Sequence, residues 1–362
     1  MSLIKQYLEK MIEENASDLF FRAGGIVRMR IDGNVTAVDD HMLTVEEVFE
    51  AVKEITNEPQ KEKFKKDRDV DFAFYSQEMD RRFRVSLFLQ RNWPSMVIRL
   101  IKNATQTFDD LNLPKDVLAQ LCTESRGLVL LTGSAGSGKS TTIASMINHI
   151  NENMRKHILT VEEPIEFTFL DRRSIINQRE LGLDVGTYGG ALRAFTLQSP
   201  DVIFIGNIRD QETMFSAMTA AETGVLVFST LHTINAFQSV ERIVNFFPPH
   251  QHTEIRTQLS YVLKGVISLR LVPRKDGTGR IPAYEVMLLT PTVARLIREN
   301  KVWEIPHFIE EGGIFGMQSF MQSLVKLVRE GVITEEIGAE FSDNKEEFYQ
   351  ALKGIKKFGH ME

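Results

Sequence analysis

The sequence predicts an α/β protein in which a small α+β domain with an antiparallel sheet precedes a parallel-sheet domain. The length of 362 residues favours two domains. Residues 1–103 alternate apolar and polar side chains between turn signals, as half-buried antiparallel strands do. From Lys115 onward, apolar strands alternate with helical patterns, which is typical of a parallel α/β sheet. We therefore expect domains at 1–103 and 115–290, joined by a linker at 104–114 and followed by a helical subdomain at 291–362.

The composition excludes several classes of protein. A hydrophobic content of 43% with 25% charged residues is ordinary for a soluble globular chain. The net charge of −6 argues against nucleic acid as the main partner. One cysteine, Cys122, allows neither a disulfide framework nor a Cys₄ zinc site, and we expect a buried thiol. The N-terminus shows no signal-peptide core, and the sequence has no run of about 18 apolar residues that would span a membrane.

The first hundred residues mix helical and strand patterns. A helix is predicted over 2–14, where the apolar side chains fall on one face. The segment Thr44–Glu47 has the form of a capping box and opens a helix that runs to about Ile55. The charged segment 59–67 is predicted to be a surface helix or a loop. Strands are predicted at 18–22, at 27–31 and 35–38 with an Asp32-Gly33 hairpin between them, and at 70–75, 82–90 and 95–101.

The remainder of the chain supplies the apolar strands of the predicted parallel sheet. The segment before it, 104–114, has few apolar residues and ends in Pro114, which suits a hinge between domains. A glycine-rich turn at 276–279 lies between apolar runs and predicts a hairpin over 268–290. Only helical patterns remain after about residue 291. The parallel strands are placed at 127–132, 157–162, 202–206 and 225–230.

A glycine-rich loop follows the first of these strands. Gly133, Gly138, Lys139 and Ser140 read G-x-x-x-x-G-K-S, and the apolar spacing after them predicts a helix that begins at the loop. Glycines let backbone N–H groups converge on an anion, and the helix dipole adds positive charge there. Lys139 would reach the β- and γ-phosphates of ATP, and Ser140 would hold Mg²⁺. A chance glycine-rich turn is the alternative, and the flanking strand and helix disfavour it. The predicted nucleotide-binding residues are Gly133, Ser134, Gly136, Ser137, Gly138, Lys139, Ser140 and Thr141.

Polar residues follow the other three strands. Ligands bind at the carboxyl ends of the strands in an open parallel sheet, so these residues should lie at one rim. Glu162 ends the second strand and is placed to orient and deprotonate the attacking water. His232 follows the fourth strand and is placed to sense the γ-phosphate, with a structural histidine as the alternative. Asn207 follows the third strand and completes the predicted catalytic set.

Several segments of the sequence resemble a known family. HILTVEEPIEF resembles the acidic box of the secretion and pilus motor ATPases, PDVIFIGNIRDQETM their Walker B segment, and TGVLVFSTLHT their histidine box. PTVARLIRE and GGIFGMQSF are similar to segments of the retraction branch of the type IV pilus motors, PilT and PilU. Three further segments are more similar to PilU than to PilT: SDLFFRAG, RFRVSLFLQRN and RIVNFFPP. The resemblance covers about residues 5–335.

The resemblance implies a PAS-like N-terminal domain, a flexible linker and a RecA-like ATPase domain, with ATP and Mg²⁺ between the two domains. Six chains would form a homo-oligomeric ring in which domain closure converts ATP hydrolysis into work. The ring would lie in the cytoplasm at the inner-membrane base of the pilus and act through the platform protein. Arginines of the N-terminal domain approach the phosphates in such motors, and Arg82, Arg84 and Arg91 are candidates. Arg82 and Arg84 are the pair that shares a strand face, and solvent-facing arginines are the alternative.

The sequence departs from the family in its Walker B segment. Members have a glutamate where Asn207 stands, and an amide cannot accept a proton or supply negative charge to Mg²⁺. Val225 and Leu197 stand where members often have histidine and arginine. We therefore expect that the chain binds ATP·Mg²⁺ but, when alone, hydrolyses it slowly or not at all. Two functions stay open: a retraction motor, or an ATP-binding accessory subunit of an active paralogous retraction ATPase. The acidic charge disfavours a nucleic-acid motor.

Overall fold

The computed structural model describes residues 2–31 and 33–355. The predicted hairpin residue Asp32 and residues 356–362 of the predicted helical subdomain lie outside the described residues. The chain divides into two units: Met1–Asn103 with Glu166–Thr168, and Ala104–Ile165 with Phe169–Glu362. A separate linker and a separate helical subdomain stay predictions.

The strands of the described residues are, in chain order, β1 (Asp18–Arg22), β2 (Ile26–Ile31), β3 (Asn34–Met42), β4 (Asp69–Ser76), β5 (Arg81–Gln90), β6 (Trp93–Asn103), β7 (Gly127–Thr132), β8 (His157–Glu162), β9 (Phe167–Thr168), β10 (Ile175–Glu180), β11 (Val202–Ile205), β12 (Leu226–Leu231), β13 (Leu263–Pro273) and β14 (Arg280–Leu288). The α-helices are α1 (Leu3–Glu13), α2 (Val45–Ile55), α3 (Glu58–Asp67), α4 (Lys115–Cys122), α5 (Lys139–Asn153), α6 (Tyr188–Phe195), α7 (Gln211–Glu222), α8 (Ala236–Val244), α9 (His252–Val262), α10 (Pro291–Arg298), α11 (Ile305–Glu311), α12 (Phe320–Arg329), α13 (Glu335–Phe341) and α14 (Lys345–Leu352).

The first unit is built on an antiparallel sheet in the order β3-β2-β1-β6-β5-β4, to whose β6 the short β9 adds in parallel. The apolar faces of α1 and α2 pack on this sheet, because Leu8 and Val48 are buried with Leu19 and Val85 in one core. The predicted antiparallel arrangement is therefore confirmed.

Local signals predicted the first two helices of this unit and left the third segment open between a helix and a loop. The capping box at the start of α2 is present: Thr44 Oγ1 accepts from the Glu47 N–H at 3.1 Å, and Glu47 Oε2 accepts from the Thr44 N–H at 2.7 Å. The charged segment 59–67 is a helix, α3, with no fully buried side chain. Its charge pattern is that of a solvated surface helix.

The second unit is built on a mixed sheet in the order β10-β8-β11-β12-β7-β13-β14. All neighbours pair in parallel except β14, which is antiparallel to β13. The four predicted parallel strands and the predicted hairpin are confirmed. The sequence did not predict the edge strand β10, because only its first two residues, Ile175 and Ile176, are apolar.

Helices cover both faces of this sheet. Leu128 and Leu130 of β7 are buried in one core with α6, α7 and α9, whereas Val129 and Leu131 are buried in another with α4 and α5. Burial on both faces explains why β7 is a continuous apolar run instead of an alternating one. Cys122 is a buried free thiol in the second of these cores, as expected.

The C-terminal helices α12 to α14 bury their apolar faces on the β13–β14 hairpin, where Val272 and Ile281 contact a core that includes Leu324 and Phe348.

In the predicted linker segment, Phe108 and Leu113 are buried in the core of the second unit, so this stretch has more apolar contact than its sequence led us to expect. None of the described helices combines the length and the hydropathy that a membrane span requires.

Candidate functional site

The glycine-rich loop joins the end of β7 to α5, which begins at Lys139. Gly133 and Gly138 have φ angles of 141° and 98°, which favour glycine. A Cβ on Gly133 would lie 2.5 Å from both the Leu269 carbonyl oxygen and Ser137 Oγ, so no other residue fits there. The turn that leads into the helix therefore requires glycine at position 133 and favours it at position 138.

The polar groups of the loop are arranged for an anion. Lys139 Nζ donates to the carbonyl oxygens of Gly133 at 2.8 Å and Ser134 at 2.7 Å, which holds the ammonium over the loop. Ser137 Oγ is buried and has no hydrogen-bond partner among the described residues. A buried hydroxyl without a partner is unusual unless a ligand or water supplies one, and a phosphate oxygen fits this position. Ser140 and Thr141 lie in the first turn of α5.

A cavity of about 270 Å³ adjoins the loop. Its walls combine the backbone of the loop with apolar side chains and two guanidinium groups. The lining residues are Gly133, Ser134, Ala135, Gly136, Ser137, Ile234, Leu269, Arg270, Leu271, Arg280 and Phe341.

The sequence did not predict three of the residues that line this cavity, Arg270, Arg280 and Phe341. Arg270 lies on β13, and its guanidinium donates to the Phe341 carbonyl oxygen and to Asp343 Oδ1, both at 2.8 Å. The same group lies 3.9 Å from the centre of the Phe320 ring. These contacts fix Arg270 beside the cavity. No local motif marks Arg270, Arg280 or Phe341. The pairing of β13 with β7 and β14 brings the two arginines to the loop, and the packing of α13 on this hairpin brings Phe341 there.

Glu162, the last residue of β8, has a fixed carboxylate. It is 6% exposed, and its Oε1 accepts from Thr160 Oγ1 at 2.7 Å and from Gln178 Nε2 at 3.2 Å. Gln178 comes from β10, the strand that the sequence did not predict. The two donors hold the carboxylate at the carboxyl end of the sheet, where the sequence placed it.

Asn207 follows β11 and is 8% exposed. Its neighbours are tied to β12: Thr230 Oγ1 donates to the Gly206 carbonyl oxygen at 2.6 Å, and the Ile208 N–H donates to the Thr230 carbonyl oxygen at 3.2 Å. Its own Oδ1 is buried without a hydrogen-bond partner within the part of the chain that the structure describes. These hydrogen bonds hold the backbone on both sides of Asn207, while its amide oxygen stays available to a water or ligand.

His232 follows β12. Its side chain is exposed, but partial desolvation lowers its pKa from the ordinary value of 6.5, and the positive charges of Lys139 and Arg209 lower this pKa further. His232 is therefore neutral at pH 7 and shares an electrostatic environment with the loop lysine. Arg209 itself forms an ion pair with Glu163 at 3.0 Å.

The predicted arginine pair belongs to the first unit. Arg82 and Arg84 lie at alternate positions of β5, and Arg84 forms an ion pair of 3.6 Å with Asp71 of β4. Arg91 lies in the turn after β5 with a φ of 51°, so it is not part of the strand. A role of Arg82 and Arg84 at the nucleotide stays a prediction.

Comparison with known proteins places this architecture in a family. A family model described as Type II/IV secretion system protein matches residues 1–278. The type IV pilus ATPase PilU of Pseudomonas aeruginosa is 39% identical over 96% of this chain and 91% of its own length. The type IV pilus retractation ATPase PilT of the same organism is 38% identical over 95% of this chain and 99% of its own length.

A solved structure of the pilus retraction motor PilT with bound ADP has a TM-score of 0.88 and 40% identity, over 96% of this chain and 98% of that one. This match confirms the predicted fold class. Because the family model spans most of the chain and the relatives align along nearly all of it, this chain belongs to the type II/IV secretion system protein family, alongside the type IV pilus ATPases PilU and PilT.

Proposed function

We propose that this chain binds ATP with Mg²⁺ and hydrolyses it slowly, as a subunit of a type IV pilus retraction motor. The main support is the loop, where Lys139 and the unpartnered hydroxyl of Ser137 converge beside a cavity of about 270 Å³. Glu162 ends β8 and His232 follows β12, two parallel strands of the same sheet. The relatives PilU and PilT are ATPases by name, and the similar PilT structure holds ADP.

The strand order gives the direction in which ATP would lie. β7 stands between β12, which leads to His232, and β13. The strands that lead to Glu162 and Asn207 lie beyond β12. A triphosphate whose γ-phosphate points toward Glu162 therefore extends its ribose and base toward β13. There the cavity offers Arg280 and the ring of Phe341.

The residues of the rim would divide the chemistry. Ser140 would hold Mg²⁺, which would offset the negative charge of the β- and γ-phosphates. Lys139 would exchange its carbonyl partners for phosphate oxygens, and Ser137 would donate to another. Glu162 would orient the attacking water and accept its proton. Asn207 can hydrogen-bond that water but brings no negative charge to the water or to Mg²⁺, which is why turnover should be slow.

The assembly belongs to the same proposal. We expect a homohexameric ring at the cytoplasmic base of the pilus, in contact with the inner-membrane platform protein. Asn207 also supports a second candidate function, an ATP-binding accessory subunit that works with an active paralogous retraction ATPase and hydrolyses little ATP itself.

The first test is ATP turnover of the purified full chain, with Lys139→Ala as the blank. A motor subunit turns over ATP slowly but above the blank when alone. An accessory subunit matches the blank alone and changes the turnover of an active paralogue when the two are mixed. Equal ATP affinity of wild type and Lys139→Ala, measured by calorimetry, would contradict both functions.

Binding of ATP should depend on pH through His232. The triphosphate brings negative charge to a histidine whose pKa is lowered in the free protein, so its pKa rises on binding and a proton is taken up. ATP affinity should therefore increase as the pH falls from 8 to about 6, close to the unperturbed histidine pKa. Calorimetry in two buffers of different ionisation enthalpy measures the proton uptake.

The control for this prediction replaces a histidine at the amino end of β8, away from the carboxyl ends of the strands. His157 is the first residue of β8, whereas Glu162 is its last. Uptake should disappear in His232→Asn, apart from the titration of ATP itself, and persist in His157→Asn. Identical uptake in the two variants would exclude the γ-phosphate as the neighbour of His232.

A further inference from the structure

A tyrosine outside every predicted motif lies against the rim. Tyr188 begins α6, where Thr187 caps the helix by accepting from the Gly190 N–H at 3.0 Å. The Tyr188 ring packs in the core with Leu159 and Ile205 and is 9% exposed. Its hydroxyl is fully buried and has no hydrogen-bond partner in residues 2–31 and 33–355. Such a hydroxyl is destabilising unless a water or ligand pairs with it.

Gly206 shows where this hydroxyl points. A Cβ on Gly206 would lie 3.5 Å from the Tyr188 hydroxyl and 3.2 Å from the Cα of Glu162. The hydroxyl thus reaches the backbone at the ends of β8 and β11, directly before Asn207. Burial raises the pKa of Tyr188 to about 12, with the Glu163 carboxylate adding to the shift and Arg209 opposing it. The hydroxyl is therefore protonated at neutral pH and can donate.

The Tyr188 hydroxyl, which reaches Gly206, and the amide of the next residue, Asn207, carry complementary unpartnered groups. The Tyr188 hydroxyl is a donor without an acceptor, and Asn207 Oδ1 is an acceptor without a donor. One water can accept from the first and donate to the second. The residues are on different elements, α6 and the segment after β11, so the water would tie one to the other.

We propose that Tyr188 is a positioning residue for ATP hydrolysis, whose hydroxyl orients the Asn207 amide through a shared buried water. This inference rests on the proposed function, because it assigns Asn207 the task of holding the attacking water. Tyr188 does not touch the nucleotide; it sets the direction of the amide that does the holding. Without the hydroxyl, the amide rotates freely and binds the attacking water less well, while the phosphate loop is unchanged.

The test compares binding of ADP·Mg²⁺ alone with binding of ADP·Mg²⁺ plus aluminium fluoride, which imitates the transferring phosphoryl group with its in-line water. In Tyr188→Phe, affinity for the fluoride complex should fall about tenfold, the loss of one hydrogen bond worth ~1.4 kcal/mol. Affinity for ADP alone should stay within about twofold of wild type, since the loop is intact. Tyr284→Phe, a half-buried tyrosine on β14, is the matched control and should leave both affinities unchanged.

A double-mutant cycle separates positioning from a merely structural effect. Tyr188→Phe should weaken the fluoride complex in the wild-type background but not in the Asn207→Ala background, because the amide it orients is then gone. An equal loss in both backgrounds, or no loss in either, overturns the proposal. So does a wild type that binds ADP but gains no affinity from aluminium fluoride. Failure of the proposed function is a different result, in which wild type binds ADP no better than Lys139→Ala.

Discussion

Replacing Asn207 with glutamate should raise ATP turnover by about a hundredfold or more, because a general base or its electrostatic equivalent contributes roughly 10²–10⁴ to such rates. The new carboxylate would stand where the resemblance to the motor ATPases predicts one, beside an attacking water that the wild-type amide can only orient. Steady-state phosphate release from the full chain measures the change, and ATP affinity should alter little because the phosphate loop is untouched.

The matched control is Asn207→Gln, which adds the same length but no charge. It should stay near wild type, so that any gain in Asn207→Glu belongs to the carboxylate. Lys139→Ala again provides the blank. Comparable turnover of wild type and Asn207→Glu would contradict the hypothesis that Asn207 limits hydrolysis.

The introduced carboxylate should also change stability. Position 207 is 8% exposed and its amide oxygen has no partner among the described residues, so an ionised glutamate there is buried and unpaired without ligand. The thermal midpoint of Asn207→Glu should fall below that of wild type and recover when ATP and Mg²⁺ bind to the folded state. This recovery separates a folding defect from a catalytic one.

Replacing Glu162 with glutamine should lower turnover by about 10²–10⁴, since it removes the group that would accept the proton of the attacking water. Glutamine keeps an oxygen that can accept from Thr160 Oγ1, so the fold at the end of β8 should hold. Because wild-type turnover is already expected to be slow, the substitution is best measured in the Asn207→Glu background as well.

The control for Glu162 is its neighbour. Glu163 forms a half-exposed ion pair with Arg209 at 3.0 Å, and exposed pairs contribute about 0–1 kcal/mol. Glu163→Gln should therefore leave turnover within about threefold of wild type, as expected for a residue outside the chemistry. If Glu163→Gln lowered turnover as much as Glu162→Gln, the base would have been assigned to the wrong carboxylate.

The features of this protein that depend on local patterns could be predicted from residue type and spacing. The glycines of the loop before Lys139 could be predicted because their positive φ angles favour glycine over other residues. The strand before the loop could be predicted because burial on both sheet faces requires a continuous apolar run. The capping box at Thr44 is likewise a contact between residues three apart. Parallel strands have their carboxyl ends at one rim of the sheet, so the sequence could place Glu162, Asn207 and His232 at that rim.

The contacts between segments that are distant in the sequence could be seen only in the folded chain. Only the strand order and the packing of α13 on the β13–β14 hairpin place Arg270 and Phe341, which are 71 residues apart, together beside the loop. The polar edge strand β10 brings Gln178 to the carboxylate of Glu162, and packing of α6 brings the Tyr188 hydroxyl to Gly206. Local propensity carries no information on these contacts, because sheet register and helix packing set them across the whole core.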